Sequence, residues 1–499
     1  MSSTATAVDP QSHCSANAEL YRDANGVRWS FMLNLTDISY GVYGNNKFYM
    51  AQLILDLGRF VVFRNDLEQA ELSFQKVFQS KSGNKWPLSQ PFVRKKGKYF
   101  LVELDDGEPE AEAVEKKNVE PSKLPQEVQN IVQLICDPEV VTREMASLNV
   151  DLKRFPLGKL SKPQISQGYE ILQRLSAVLE ELEELTKVFA AKTNKAGSKS
   201  RRKAKAKAKA PAAATARGQS SLRADLKALS SEFYSLIPHD FGRSLPPVIG
   251  TMADLKLKLD LLEVLSNLEI SQTLQKQEAE KPSGPAVHPL DAQYSILNTN
   301  MELLSKRAKE YEIIEKFINK TNGGNKFRIN TILKIARPDE ETHKDVLGTL
   351  DNHMLLWHGS RLFNFVGILS QGLRIAPPEA PNNRYIFGKG LYFADVLAKS
   401  AAYCCTTRRD PTAILLADVA MGTQYKTPHG QFLDYKVVKD ERGDSTLGLG
   451  RMEPAENEFE TLGGGVVVPA GTLKPVDGNQ KLLYNEFIVY RREQGGDNR

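Results

Sequence analysis

The last third of the chain is dense in short segments with strand composition, separated by glycines and prolines. These segments are residues 354–358, 391–393, 413–420, 466–468 and 486–490. Such closely spaced short strands leave little room for a crossover helix between each pair. The pattern predicts a strand-rich, mixed α+β domain and not a series of alternating βαβ units.

The sequence contains no glycine-rich loop of the common nucleotide-binding types. Gly388-Lys389-Gly390 begins like a G-x-G-x-x-G motif, but Phe393 stands where the third glycine would fall. A Rossmann site needs that glycine for close packing of helix and strand, and the chain has no Walker loop either. If the chain binds a dinucleotide, another architecture must hold it.

The middle of the chain is predicted to be helical. At 499 residues the chain is long enough for roughly two to four domains, each with its own core. Residues 124–274 carry apolar side chains at helical spacing, in one stripe from Ile171 to Leu185 and another from Leu255 to Leu265. Such stripes form the core of a helical bundle, and we find no catalytic set among them.

The N-terminal region predicts a small α+β module behind a polar tail. The tail is residues 1–18, the strands are expected at 27–31, 47–55 and 99–104, and a helix is expected at 67–79. Residues 92–99 are basic and aromatic. Two interpretations stay open for this stretch: a surface that faces a phosphate backbone, or a solvated hairpin.

The positive charge is concentrated in one segment. Residues 195–217 contain nine lysines or arginines and no acidic residue, whereas the formal charge of the whole chain is +5. Like charges at this spacing oppose helix formation, and the segment has no large apolar side chain to dock. We expect a disordered loop extruded from the helical bundle, suited to polyanions or to nuclear import.

Cysteine usage and hydropathy limit the class of protein further. The four cysteines, Cys14, Cys136, Cys404 and Cys405, form no C-x-x-C pair and have no histidines at zinc-binding spacing. The first residues contain no apolar signal segment, and no run of about 18 apolar residues occurs. We expect a reduced intracellular protein without zinc fingers or another metal site, neither secreted nor membrane-spanning.

Three motifs in the last third point to a specific chemistry. Residues 356–360 have the sequence LWHGS, residues 387–395 have FGKGLYFAD, and residues 482–486 have LLYNE. In this order and at these separations they resemble the catalytic domain of the poly(ADP-ribose) polymerase family. Residues 369–381, LSQGLRIAPPEAP, resemble a stretch of the same family almost without interruption.

This resemblance covers most of the chain and implies a multidomain α+β protein. Residues 156–161 resemble the family's all-α regulatory bundle, and residues 46–49, Gln52 and 82–86 resemble its small α+β WGR module. The implied order is a disordered tail (1–18), a WGR-like domain (19–104), a linker (105–121), a helical regulatory domain (122–274) with the basic loop 195–217, a second linker (275–286) and a mixed α+β ADP-ribosyltransferase catalytic domain (287–493). Family members of the compact type, without zinc fingers, are similar to this arrangement.

The N-terminal match departs from the family pattern at one point. The Trp-Gly-Arg strand is missing here or reduced to Leu57-Gly58-Arg59. Because the resemblance gives that strand a role in DNA contact, we expect a weaker response to DNA than the family pattern implies. The resemblance also implies that the regulatory bundle obstructs the NAD site, so removing all residues before about 287 is expected to raise activity without DNA.

By the same resemblance, five residues surround the nicotinamide of NAD. Gly359 is expected to hold the carboxamide through its backbone, with Ser360 and the hydroxyl of Ser400 near the same pocket. Tyr403 is expected to stack on the ring, and Tyr392 to wall the other side.

The rest of the implied site lies toward the riboses and the adenine. His358 is expected to bind the adenine-side ribose, and Arg374 to lie near the adenosine. Tyr385 and Lys399 are expected to border the pocket. The catalytic set implied by the family is His358, Tyr392 and Glu486.

The chemistry of the reaction gives Glu486 a physical role. Cleavage of the bond between ribose and nicotinamide builds oxocarbenium-like positive charge on the ribose, as in glycoside hydrolysis. Nicotinamide leaves as a neutral molecule and needs no acid, so one carboxylate suffices. Glu486 can hold the ribose 2′-hydroxyl, stabilise the charge and orient a proton of the incoming hydroxyl. His239, His353 and His429 have no such context, and we assign them no role.

We therefore expect a nuclear enzyme that transfers ADP-ribose from NAD to proteins, including itself, and then elongates the chain. NAD is the substrate, no permanently bound cofactor is expected, and DNA with strand breaks is the expected activator. Two alternatives stay open. One is a mono-ADP-ribosyltransferase, which Glu486 argues against. The other is a non-catalytic DNA-binding scaffold, which the joint presence of His358, Tyr392 and Glu486 disfavours.

Overall fold

The chain divides into two compact units in the computed structural model. One unit contains Met1–Lys117 and Met145–Glu269, and the other contains Asn118–Glu144 and Ile270–Arg499. The structure describes residues 8, 12, 14, 18–38, 45–56, 59–60, 67–102, 121–148, 161–196, 209–239, 241, 245–279, 288–338, 349–381, 386–404, 411–428, 438 and 443–496. Each unit joins segments that lie far apart in the sequence.

The N-terminal part of the first unit is a small α+β module. Strand β2 (Ser30–Asp37) forms the centre of an antiparallel sheet between β3 (Asn45–Gln52) and β6 (Phe100–Val102). A smaller sheet contains β1 (Glu19–Leu20), β4 (Ile54–Asp56) and β5 (Arg59–Phe60). The strand expected at 27–31 starts later, because the Asp23 carboxylate accepts hydrogen bonds from the backbone of Asn25 and Val27 and holds a turn there.

Aromatic packing stabilises this module. The predicted helix at 67–79 is confirmed as α1 (Leu67–Ser82), which places Phe74 and Phe78 against Phe31 of β2. The ring centroids of these pairs are 4.8 and 5.0 Å apart. Trp86 adds a fourth ring, 5.0 Å from that of Phe78. The apolar residues of the N-terminal segment therefore build a core of their own.

Part of the basic stretch at 92–99 contacts the protein itself. Lys95 donates its ammonium to the carbonyl of Gly83 at 2.5 Å, and Lys98 donates to the carbonyl of Ser80 at 2.8 Å. These carbonyls lie at the carboxyl end of α1, where a cation is favoured by the helix dipole. Arg94 forms an ion pair with Glu232 at 2.6 Å. Intramolecular contacts thus account for three of the basic side chains.

The helical part of the first unit contains α4 (Lys162–Ala196), α5 (Lys209–Leu236) and most of α6 (Met252–Ala279). The stripe predicted from the sequence is confirmed at its centre. Leu172, Leu175 and Leu179 are buried. The α6 stripe is buried at Leu255, Leu259, Leu262 and Leu265. Side chains also join this part to the small module, since Asn34 donates to the carbonyl of Tyr234 at 2.9 Å.

Two segment boundaries differ from the prediction. The loop expected at 195–217 is shorter, because α4 runs to Ala196 and α5 begins at Lys209. Alanine, the residue with the highest helix propensity, dominates the sequence after Lys209 and favours helix despite the neighbouring charges. Residues 197–208 lie outside the described part of the chain. Helix α6 likewise continues to Ala279, into the expected linker at 275–286.

Two sheets form the framework of the second unit. A five-stranded sheet has the order β15-β16-β9-β11-β20, in which β15 is Glu460–Thr461, β16 is Val467–Val468, β11 is Leu415–Ala420 and β20 is Gly495–Gly496. A four-stranded sheet has the order β10-β19-β13-β12, in which β12 is Gln424–Thr427. The strands of these sheets that matter for the site are β9 (His353–His358), β10 (Leu391–Phe393), β13 (Ser445–Gly448) and β19 (Glu486–Val489). Strands β14 (Gly450–Pro454) and β18 (Leu482–Tyr484) belong to a separate three-stranded sheet. The strand predicted at 391–393 is confirmed residue for residue, and those at 354–358 and 486–490 within one residue.

The core of the second unit includes a helix that the sequence assigned to the regulatory bundle. In α2 (Gln126–Cys136), Val128, Val132 and Ile135 are buried in one apolar cluster with Leu356 of β9. The segment Asn118–Glu144 accordingly belongs to the unit that carries the three motifs. A cut at about residue 287 would therefore remove part of this core. Among the described residues, no helix has the length and apolar character needed to cross a membrane.

Candidate active site

The three motifs meet where the two sheets of the second unit approach each other. Trp357 of β9 exchanges backbone hydrogen bonds with Ala394, directly after β10, at 2.8 and 2.9 Å. Strand β10 pairs in turn with β19, with Tyr392 opposite Ile488. Backbone pairing therefore brings the segments of His358, Tyr392 and Glu486 together, although the sequence separates them widely.

The imidazole of His358 is oriented by the second motif. Its Nδ1 lies 2.9 Å from the carbonyl oxygen of Tyr392, which requires a proton on Nδ1 because a carbonyl can only accept. The ring also packs edge-on against Phe393, with centroids 5.7 Å apart. The hydrogen bond from Nδ1 to the carbonyl fixes the neutral tautomer of His358, in which Nε2 is the nitrogen that can accept a hydrogen bond.

Gly359 is in very close contact with the backbone of Ser400. A Cβ atom at this position would lie 1.8 Å from the carbonyl oxygen of Ser400. The Ser400 hydroxyl donates to the carbonyl of Trp357 at 3.0 Å, and the Ser360 hydroxyl accepts from Asn364 at 3.0 Å. Both serines are buried, and these contacts position the backbone around Gly359.

We expect Gly359→Ala to be destabilising and to weaken NAD binding. The added methyl group must displace the backbone of Ser400, and overpacking of this kind typically lowers the free energy of unfolding by about 1–3 kcal/mol. Thermal unfolding and NAD titration measure the two effects. Gly463→Ala is the matched control, because a Cβ there meets nothing within 4 Å. If both variants behaved like the unsubstituted protein, the close approach at Gly359 would have no importance.

Tyr392 uses its hydroxyl to hold the glycine-containing turn before β10. The phenol donates to the carbonyl of Gly388 at 2.7 Å and accepts from the amide of Phe387 at 3.1 Å. The side chain is half-buried. With the hydroxyl occupied in this way, the ring is the part of Tyr392 that can wall a ligand.

Glu486 forms a nearly buried ion pair with Lys399. The carboxylate Oε1 lies 2.7 Å from the Lys399 ammonium, and only 9% of the Glu486 side chain is exposed. Lys399, on helix α10 (Leu397–Ala401), also donates to the carbonyl of Asn485 at 3.2 Å. Burial lowers the pKa of Lys399, whereas the charge of Glu486 opposes that change. The site thus places a fixed carboxylate in a poorly hydrated environment.

The remaining predicted residues differ in their surroundings. Tyr403 follows α10 in a short turn (Ala402–Cys404) and is 46% exposed, which leaves much of its ring accessible for stacking. Arg374 is exposed. Tyr385 lies outside the described residues. No group of three or more metal-ligating side chains occurs in the part of the chain that the structure describes.

Two buried residues of the motifs received no role from the sequence. Asp395 ends the second motif and Asn485 immediately precedes Glu486; their side chains hydrogen-bond at 2.8 Å. Both are at most 5% exposed. The signal that a sequence could offer is a polar residue beside an apolar strand, but it does not reveal that the two residues meet.

Comparison with known proteins identifies the family. The poly(ADP-ribose) polymerase catalytic domain matches residues 308–495, and the poly(ADP-ribose) polymerase regulatory domain matches residues 122–294. Poly(ADP-ribose) polymerase 2 of Homo sapiens is 33% identical over 98% of this chain and 81% of its own length. The chain belongs to the poly(ADP-ribose) polymerase family.

Other members of the poly(ADP-ribose) polymerase family are longer than the region they share with this chain. Poly(ADP-ribose) polymerase 1 of Gallus gallus is 34% identical over 97% of this chain and 46% of its own length. Poly(ADP-ribose) polymerase 2-A of Oryza sativa subsp. japonica is 33% identical over 90% of this chain and 66% of its own length. The chain thus spans about half the length of the Gallus gallus relative.

Proposed function

We propose that this chain is an NAD-dependent poly(ADP-ribose) polymerase, which transfers ADP-ribose to proteins and elongates it with release of nicotinamide. The observation that carries the proposal is the buried carboxylate of Glu486. The Lys399 ammonium lies 2.7 Å from this carboxylate. The two sheets that carry Glu486 also orient His358, through its hydrogen bond to the Tyr392 carbonyl. A carboxylate so placed has a clear use in stabilising positive charge that develops on a ribose.

In the proposed reaction, Glu486 acts on the ribose from which nicotinamide leaves. The glycosidic bond breaks, its electron pair goes to nicotinamide, and the ribose carbon becomes oxocarbenium-like. The carboxylate holds the 2′-hydroxyl and stabilises this cation. The hydroxyl oxygen of an acceptor then forms the new bond to this carbon and passes its proton to the Glu486 carboxylate, which returns it to water.

The proposed NAD contacts follow the surroundings of the site. The backbone of Gly359 holds the carboxamide, beside Ser360 and Ser400, and the exposed ring of Tyr403 stacks on the nicotinamide. Tyr392 walls the other side. The His358 side chain donates from Nδ1 to a carbonyl, and its Nε2 is the atom proposed to accept from the adenine-side ribose.

The outer part of the proposed NAD site includes Arg374 near the adenosine and Tyr385 at its border. Lys399 supports the site through the carboxylate of Glu486. The exposure of Arg374 suits contact with a polar ligand.

A labelled-NAD assay tests this proposal. The full chain is incubated with NAD labelled in its adenylate, with and without nicked DNA, and the products are separated on a denaturing gel. A ladder of protein-bound product is the expected result. One discrete product would indicate a mono-ADP-ribosyltransferase. Absence of protein-bound label under both conditions would favour a non-catalytic scaffold.

We propose that the first unit gives the enzyme its DNA response and that the protein acts in the nucleus. The three-stranded sheet with α1 supports its assignment as a WGR-like module. In this module the Lys81 ammonium lies 4.8 Å from the ring centroid of Tyr49 and 5.6 Å from that of Tyr99. Basic groups beside aromatic rings suit nucleic-acid contact. The Leu57-Gly58-Arg59 segment falls largely outside the described residues.

The basic segment is expected to contribute to nucleic-acid affinity and not to the fold. Replacing residues 197–208 by a Gly/Ser segment of equal length keeps all residues of α4 and α5 and removes the positive charges between them. We expect unchanged cooperative unfolding and basal activity, with a DNA affinity that depends less steeply on salt. Fluorescence anisotropy over a salt series measures this slope. An unchanged slope, or loss of the unfolding transition, would contradict the prediction.

A further inference from the structure

A second carboxylate lies buried beside the proposed site. Asp395 directly follows β10 and is 3% exposed. Its Oδ2 accepts a hydrogen bond from the Asn485 amide at 2.8 Å. Burial raises the pKa of Asp395 to about 7, although Asn485 and Lys399 both favour its charged form. A carboxyl group in such a position lowers stability when it ionises, so its retention calls for another explanation.

Asp395 begins a hydrogen-bond chain that runs through Asn485, the residue before Glu486, to the backbone amide of Gly450. Asn485 donates to Asp395 and its own side-chain oxygen accepts from the amide of Gly450 at 2.8 Å. Asn485 is the single residue between β18 and β19, which pair with different sheets. Its side chain therefore fixes the point at which the chain changes sheet and Glu486 enters β19.

Lys399 connects the same two carboxylates electrostatically. Its ammonium lies 2.7 Å from Glu486, and its side chain is 14% exposed. The charges of Glu486 and Asp395 both favour the protonated lysine, against the effect of burial. One cation is thus shared by two acidic groups in a region of low hydration.

We propose that Asp395 is a positioning residue for the transfer reaction, which fixes Glu486 through Asn485 and balances the charge of Lys399. This inference rests on the proposed function of the site. If Lys399 were paired with Glu486 alone, the two charges would cancel. With Asp395 ionised, the group of three keeps one net negative charge, and that charge stabilises the cation that develops on the ribose.

The first test is the variant Asp395→Asn. The new amide oxygen can still accept from Asn485, so the hydrogen-bond chain is kept and only the charge is removed. We expect kcat to fall roughly 10- to 100-fold, because an interaction with the developing charge is lost, while KM for NAD changes little. Asp418→Asn is the matched control, since it neutralises a largely buried carboxylate that faces His353, outside the site.

Stability separates this role from a merely structural one. The pKa of Asp395 is raised to about 7 in the folded protein, so stability falls as the pH rises from the ordinary carboxyl range through about 7, where the loss is complete. The neutral amide avoids that loss. We therefore expect Asp395→Asn at pH 8 to unfold at a temperature at least as high as the unsubstituted protein, while its kcat is lower.

The pH profile supplies a further readout. The charged groups that act on Asp395 are Lys399 and Glu453, and Glu486 pairs with Lys399. The kcat of the unsubstituted enzyme is expected to rise as the pH increases through about 7. This limb should be absent from the Asp395→Asn profile.

A reciprocal exchange completes the experiment. Asn485→Asp alone places two carboxylates in contact and is expected to lower both kcat and the unfolding temperature. In the double variant Asp395→Asn/Asn485→Asp, the donor and acceptor are exchanged, Gly450 keeps its acceptor, and one negative charge stays near Lys399. We expect the double variant to recover most of the lost kcat.

The outcomes distinguish failure of this inference from failure of the proposed function. An unsubstituted protein without transferase activity would refute the function itself. An active protein whose Asp395→Asn variant keeps its kcat and its pH limb would overturn the role of Asp395. The same conclusion would follow if Asp395→Asn lost stability together with activity and the double variant recovered neither.

Discussion

Glu486→Gln is expected to abolish polymer elongation while NAD binding stays largely intact. The amide has nearly the same shape and still forms hydrogen bonds, but it can neither take a proton nor stabilise a cation. Loss of an electrostatic group of this kind lowers the rate by about 100-fold or more. Gel analysis of labelled products gives the elongation rate, and calorimetric titration gives the affinity for NAD.

The matched control for this variant is Glu460→Gln. Glu460 also forms an ion pair with a lysine of the second unit, Lys316, but its side chain is 36% exposed. Removing that carboxylate is expected to leave the product ladder unchanged. Ordinary polymer made by Glu486→Gln would refute the catalytic assignment. Equal loss of polymer in both variants would indicate a general effect of breaking a Lys–Glu pair.

Excision of the helical part of the first unit is expected to raise activity in the absence of DNA. The variant lacks residues 145–269 and joins Glu144 to Ile270 through a flexible linker, so it keeps the whole second unit. If the regulatory helices obstruct the NAD site, their removal should increase the basal rate about 10-fold, within the usual range of allosteric coupling. Rates with and without nicked DNA are compared with those of the full chain.

The shorter variant 287–499 is expected to fail for a different reason. It lacks Val128, Val132 and Ile135, which are buried in the core around the site. Each such side chain contributes about 1.5 kcal/mol or more, so their loss removes much of a typical stability of about 5–15 kcal/mol. Thermal unfolding should show no cooperative transition.

Equal basal rates for the full chain and the excised variant would argue against autoinhibition.

The helices of this fold were largely predictable, but their partners were not. Apolar spacing located the buried stripes of α4 and α6, because a periodic pattern reports which face of a helix is buried. It does not report what covers that face. The regulatory-domain match includes helix α2, but the valines of α2 pack with Leu356 in the core of the second unit and not with α4 and α6. Residues 197–208 and their loop assignment remain a prediction.

The candidate site was predictable where motifs carried it. The motifs identified His358, Tyr392 and Glu486, and backbone pairing brings their segments together. The contacts that set their geometry follow from tertiary packing alone. Asp395 and Asn485 stand ninety positions apart, a separation that no local spacing rule relates. Contacts between charged and polar residues of that kind can be identified only from the tertiary structure.

The most direct test of the account is a crystal structure of the full chain with a non-hydrolysable NAD analogue. We predict that the carboxamide meets the backbone of Gly359, that Tyr403 stacks on the nicotinamide, and that the Glu486 carboxylate lies within hydrogen-bond distance of the adjacent ribose 2′-hydroxyl. An analogue bound with that ribose away from Glu486, or bound at another place in the molecule, would contradict the account.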